Sequence, residues 1–151
     1  MKVVAYSIQA FEKEFLIKAN QKKHDITLIS NRLTDETVGF AAGKDAVIVF
    51  ATDDVSKNIV EKLAAFGVKF ITTRSASTEH IDKQAAGAFG IKVANVPPID
   101  ESASLTTETL QDTAAKTINN LDMWQQQKCV GNACACAKNC RAIPDNILNK
   151  E

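Results

Sequence analysis

The chain has 151 residues, 45% hydrophobic and 24% charged, enough apolar content to bury one domain-sized core without disulfide staples. Its 18 Lys and Arg balance 18 Asp and Glu, so no net field draws it to nucleic acid or an anionic membrane surface. No apolar run reaches the roughly 18 residues of a membrane span, and the opening MKVVAYSIQAFEKEF has too short an apolar run for a secretory signal. The expectation is a cytoplasmic protein whose thiols stay reduced.

Short β-branched runs at KVVAYS (2–7), DITLIS (25–30), DAVIVF (45–50), VKFITT (68–73) and IKVANV (91–96) predict five strands. Helical patterns separate them. The clearest spans 54–66, where Ile59, Leu63 and Phe66 recur with Val60 and Ala64 beside them. DAVIVF is apolar without alternation, as a central strand covered on both faces requires. This alternation specifies an α/β fold, a parallel sheet with helices on both sides. AAFGVKFI (64–71) and GAFGIKVA (87–94) nearly repeat, and each sets a glycine between a helix and the next strand. Gly67 and Gly90 therefore read as helix terminators in the left-handed cap position.

Pro97 and Pro98 break the pattern, and SLTTETLQDTAAKTINNLDMWQQQ then predicts one long amphipathic helix over 102–127. Leu110, Ala114, Ile118 and Leu121 form its stripe, with Trp124 close by. The stripe reads as core-facing; the alternative is a surface for a protein partner or homodimer. His24 and His80 have no acid partner in view and read as structural or solvated histidines.

RSASTEHID (74–82) after an apolar strand, then AGAFGIKVANVP (86–97), resembles the substrate-binding, or catalytic, domain of D-isomer-specific 2-hydroxyacid dehydrogenases, the D-lactate dehydrogenase branch in particular. The opening MKVVAYSIQAFEKEFL and VFATDD (49–54) fit the same branch. The resemblance implies a flavodoxin-like sheet of five parallel strands in the order 2-1-3-4-5. It also implies that Arg74, Ser75, Ala76 and Ser77 present backbone N–H groups to the carboxylate of a small 2-hydroxy or 2-oxo acid. Free amides at the carboxyl end of a strand favour an anion independently of any family. Thr78 is the expected N-cap of the helix that follows.

The sequence departs from the family at several points. Ser77 stands where the family has glycine, and Ile99 where it has a substrate-contacting tyrosine; Leu105, Thr106 and Thr107 replace an AEH-like triplet. The family's second domain, which holds NAD and supplies the catalytic Arg, Glu and His, has no counterpart in this sequence, and no GxGxxG follows any strand. The expectation is that this chain alone neither binds NAD nor transfers hydride.

KCVGNACACAKNC (128–140) holds every cysteine of the chain: Cys129, Cys134, Cys136 and Cys140, spaced C-x4-C-x-C-x3-C. Gly131 and the interleaved alanines allow tight wrapping, and Lys128, Lys138 and Arg141 offset the charge of a four-thiolate site. Zinc with four thiolates usually joins two separate C-x2-C knuckles, so a compact run favours an iron–sulfur cluster, with zinc as the alternative and thiol–disulfide chemistry behind both. The expected organisation is a substrate domain over 1–127 and a cysteine-rich metal-binding tail over 128–151, with a binding, redox or accessory role; the alternative is an oxidoreductase subunit whose partner chain supplies NAD.

Overall fold

The computed structural model describes residues 1–97 and 106–136. Five parallel strands, β1 (Lys2–Ala5), β2 (Asp25–Leu28), β3 (Ala46–Val49), β4 (Phe70–Thr73) and β5 (Lys92–Ala94), lie in the order β2-β1-β3-β4-β5. This is the flavodoxin-like order expected. Each strand is shorter than its sequence run, because the flanking apolar residues, such as Tyr6 and Val96, continue into buried loop ends.

The period of two decides which helices cover which face. Val4, Tyr6, Val47, Val49, Ile71 and Val93 point to one side, where they meet α2 (Lys57–Ala65) and α3 (Lys83–Ala88). Val3, Ala5, Ala46, Ile48 and Ala94 point to the other, under α1 (Ala10–Asn20) and α4 (Thr107–Gln125). Helices cover both faces, so β3 is apolar and buried throughout, and the polar Thr72 of β4 is taken by Asn120 Nδ2 on α4 at 3.1 Å. Burying side chains the size of Ile118, Leu121 and Trp124 on α4 contributes roughly 1.5–3 kcal/mol each. Trp124 also stacks on Phe70 of β4, with ring centroids 4.9 Å apart. The stripe of α4 is thus spent on its own domain, and a partner would have to use another face of that helix.

The two near-repeats are a shared helix stop. Gly67 (φ +94°) and Gly90 (φ +75°) take the left-handed conformation. Val68 N–H donates to Leu63 O and Ile91 N–H to Ala86 O, the six-to-one bond of a Schellman turn, and a strand begins at once. The start of α3 differs from expectation. Ile81 is buried and bridges Val55, so the chain is still extended there, and Asp82 rather than Thr78 caps the helix by accepting from Ala85 N–H at 2.9 Å.

His24 does have an acid partner, 98 residues away. Its Nε2 lies 2.7 Å from Asp122 Oδ1 on α4, and Lys23 Nζ lies 2.7 Å from the other carboxylate oxygen. Burial pushes the Asp122 carboxyl up, but Lys23 and His24 outweigh it and hold the pKa below the usual carboxylate value. No helix among the described residues is long and apolar enough to cross a membrane.

The packing continues past residue 127. Val130 and Ala133 pack on one core cluster and Ala135 on the other. Residues 133–136 run antiparallel along the outer edge of β5, where Cys134 bridges Ala94 and Ala135 N–H donates to Val93 O at 2.8 Å.

Candidate functional site

Strand order reverses between β1 and β3, which opens a crevice at the carboxyl edge of the sheet beside the loops that follow them. Arg74, the first residue after β4, ties the neighbouring loop to that crevice. Its side chain is buried, donating to Tyr6 O at 2.9 Å and Ser7 O at 3.0 Å after β1, and to both carboxylate oxygens of Glu12 on α1 at 3.0 and 3.2 Å. The Phe50 ring covers the guanidinium at 5.2 Å. Arg74 N–H is also taken, by Val49 O. Both ends of Arg74 therefore serve the architecture of the loop.

The next three residues have the polarity an anion requires. Val96 N–H holds Ser75 O at 3.1 Å, Asn95 Nδ2 holds Ala76 O at 2.9 Å, and Ser75 Oγ holds Ser77 O at 2.9 Å. Each peptide is planar, so fixing a carbonyl also fixes the N–H of the following residue. Ala76 and Ser77 are exposed, and their N–H groups meet no acceptor among the described residues. Ser75 N–H has only Thr73 Oγ1 at 3.3 Å. Two oriented, unclaimed amides at the end of a parallel strand have the polarity that favours an anion.

Asp53, quoted in VFATDD but given no role by sequence reasoning, is the node that shapes the crevice. It is buried and accepts from Ser7 Oγ, Leu33 N–H at 2.9 Å and Phe50 N–H at 2.7 Å. Ser7 sits at φ +59°, an unusual conformation for a residue with a side chain, held by these bonds and by its carbonyl on Arg74. The charge of Asp53 also raises the Tyr6 pKa, though burial of the phenol is the larger cause. Burial lowers the His80 pKa below its usual value and Lys83 adds to this, against the pull of Asp53; His80 Nε2 is buried without a hydrogen-bond partner among the described residues.

Of the four cysteines, Cys140 lies outside the described residues, as does Ile99. Cys129 is exposed, while Cys134 and Cys136 lie on the segment along β5, with Cys136 Sγ 3.4 Å from Val93 N. No three His, Cys, Asp or Glu among the described residues stand close enough to hold a metal ion. Among the described residues no glycine lies in the loops that follow β1, β3 and β4, where a pyrophosphate would need close backbone approach.

The doubly covered parallel sheet in the order β2-β1-β3-β4-β5 defines a flavodoxin-like fold. The sequence profile of the catalytic domain of D-isomer specific 2-hydroxyacid dehydrogenases matches residues 3–135, and the chain belongs to that family. It is 35% identical over 104 residues to D-lactate dehydrogenase of Escherichia coli (strain K12), covering 68% of this chain and 32% of that enzyme. An aromatic 2-oxoacid reductase of Clostridium sporogenes is 33% identical over 98 residues, 64% of this chain and 30% of the reductase. The solved structure of apo D-lactate dehydrogenase from Escherichia coli superposes with a TM-score of 0.64 at 35% identity, covering 66% of this chain and 32% of that one. The chain thus spans about a third of the length of the relatives it matches.

Proposed function

We propose that this chain is a carboxylate-binding domain that holds a small 2-hydroxy or 2-oxo acid at residues 75–77 and does not itself transfer hydride. The outward amides of Ala76 and Ser77 above tied carbonyls carry this reading. Ligand carboxylate replaces water on these amides, and Phe50, 37% exposed, leaves an apolar ring over the Arg74 guanidinium at the start of the same loop. A titration with pyruvate followed by backbone amide resonances tests it. Saturable shifts centred on Ala76 and Ser77 are expected; a titration that leaves both unmoved overturns the reading.

The same seat serves a second reading, in which a partner chain supplies NAD and the catalytic groups and this domain presents the acid. Identity of 35% to a D-lactate dehydrogenase over 68% of this chain, but only 32% of that enzyme, favours it. NADH oxidation with pyruvate, appearing only when a dinucleotide-binding partner is added, distinguishes the two.

The cysteines add a metal centre to the proposal: an iron–sulfur cluster, or zinc, on Cys129, Cys134, Cys136 and Cys140. Its support is the compact spacing and the soft-ligand chemistry of thiolates. Loading requires Cys136 to leave Val93. Iron, sulfide and zinc analysis of anaerobically purified protein, repeated on the four Cys→Ser variants, is the test; metal content unchanged in all four removes this part.

A further inference from the structure

Asn95, just past β5, is tied in three directions. Its N–H donates to Ala133 O at 2.9 Å, its carbonyl accepts from Asn120 Nδ2 at 3.1 Å, and its side-chain Nδ2 donates to Ala76 O at 2.9 Å. Ala133 opens the cysteine-bearing segment that runs along β5 to Cys136. The neighbouring Val96 N–H holds Ser75 O. Both peptides whose N–H groups form the anion seat therefore hang from residues 95 and 96, and residue 95 hangs in turn from the tail.

We propose that Asn95 is a positioning residue for the carboxylate loop, and that segment 133–136 is a strap whose seating on β5 sets the affinity of that loop. The ligand class, a small 2-oxo or 2-hydroxy acid, rests on the reading under Proposed function; the coupling of strap to loop does not. The direction of effect follows from peptide planarity. Releasing Ala76 O lets the Ala76–Ser77 peptide rotate and turns Ser77 N–H away from the ligand. Releasing the strap loosens residues 95 and 96 together and so disorders both amides. Cys136 is the chemical handle, since its sulfur sits against Val93 N–H and Val93 O. A metal or an alkyl group on that sulfur unseats the strap and weakens ligand binding.

Three substitutions in the full chain test this. Asn95→Ala removes one hydrogen bond to the loop and little else, because Asn95 Oδ1 is buried without a partner among the described residues. Ala135→Pro removes the N–H that seats the strap on Val93 O. Cys136→Ala removes the sulfur's contacts with Val93 N–H and Val93 O. In ligand-free protein, amide-nitrogen relaxation reads the order of the loop, and pyruvate titration reads its affinity. Asn95→Ala is expected to loosen Ser77 alone, and Ala135→Pro to loosen both Ala76 and Ser77. Each raises the pyruvate dissociation constant about tenfold, the worth of one well-placed hydrogen bond. The double variant falls short of the product, since part of the Ala135→Pro effect runs through Asn95. Cys136→Ala moves both readouts the same way by less. Unchanged relaxation at Ala76 and Ser77 in Ala135→Pro, with β1 and β3 resonances intact, overturns the coupling; should that variant lose its fold, an unchanged loop in Cys136→Ala overturns it instead. A wild-type chain that ignores pyruvate sinks the carboxylate reading, while relaxation without ligand still decides the strap.

Discussion

Replacing Glu12 with Gln strands a guanidinium that the fold has removed from water. The Arg74 side chain is 2% exposed and that of Glu12 14%, so neither charge is screened as a surface pair would be. Glutamine keeps the length and one acceptor oxygen, but its NH2 group faces the Arg74 donor that the second carboxylate oxygen now satisfies. Breaking a buried pair by removing one partner costs about 3–5 kcal/mol. The carbonyls of Tyr6 and Ser7 and the Phe50 ring remain around the guanidinium, which places this variant near the lower end, at about 3 kcal/mol. Urea unfolding at neutral pH measures it, as a lower midpoint at unchanged slope. The double variant with Arg74→Met should lose less than the sum of the two singles by about 1 kcal/mol or more, because it buries no unpaired charge. A Glu12→Gln cost below about 1 kcal/mol, the level of an exposed ion pair, would refute the argument that this clasp fixes the loop.

Three further outcomes follow from the same structure. Since the His80 pKa lies below its usual 6.5, the unfolded chain takes up this proton first, and stability should fall as pH drops below about 6.5; His80→Gln should flatten that part of a stability–pH profile. Gly67→Ala should cost about 1–2 kcal/mol in a thermal or chemical melt, because a Cβ there meets nothing within 4 Å and only the positive φ penalises it; no loss of stability would show that the backbone relaxes out of that conformation. Calorimetric titration with NADH at micromolar concentrations should give no saturable heat, given the glycine-free loops that follow β1, β3 and β4.

What the sequence disclosed was local in origin. The β-branched runs and the two Ala-Phe-Gly stops required only near neighbours, and they were enough to place five strands along the chain, while their order in the sheet came with the family resemblance. What it hid depends on partners distant along the chain. Arg74 reaches Glu12 across 62 residues and His24 reaches Asp122 across 98, distances over which spacing says nothing about contact. Thr78 does not cap α3 because Ile81, three residues on, bridges Val55 and keeps the chain extended as far as Asp82. The tail misled in another way. Ala133–Cys136 has no strand pattern of its own, and takes strand geometry from the unpaired backbone edge of β5.

That borrowed geometry has a consequence for solubility. An open sheet exposes two rows of unpaired N–H and C=O groups, each a template for another molecule's backbone. Here β2 is one margin, where the exposed Asp25 and Thr27 make a poor template for an apolar segment, and the other margin at β5 is occupied by residues 133–136. β5 itself carries Val93 and Ala94, both buried, and no charged side chain after Lys92. A chain whose tail has been drawn away by thiol chemistry would therefore present a fresh apolar margin to its neighbours, and oxidative or alkylating stress would register first as self-association in concentrated solution.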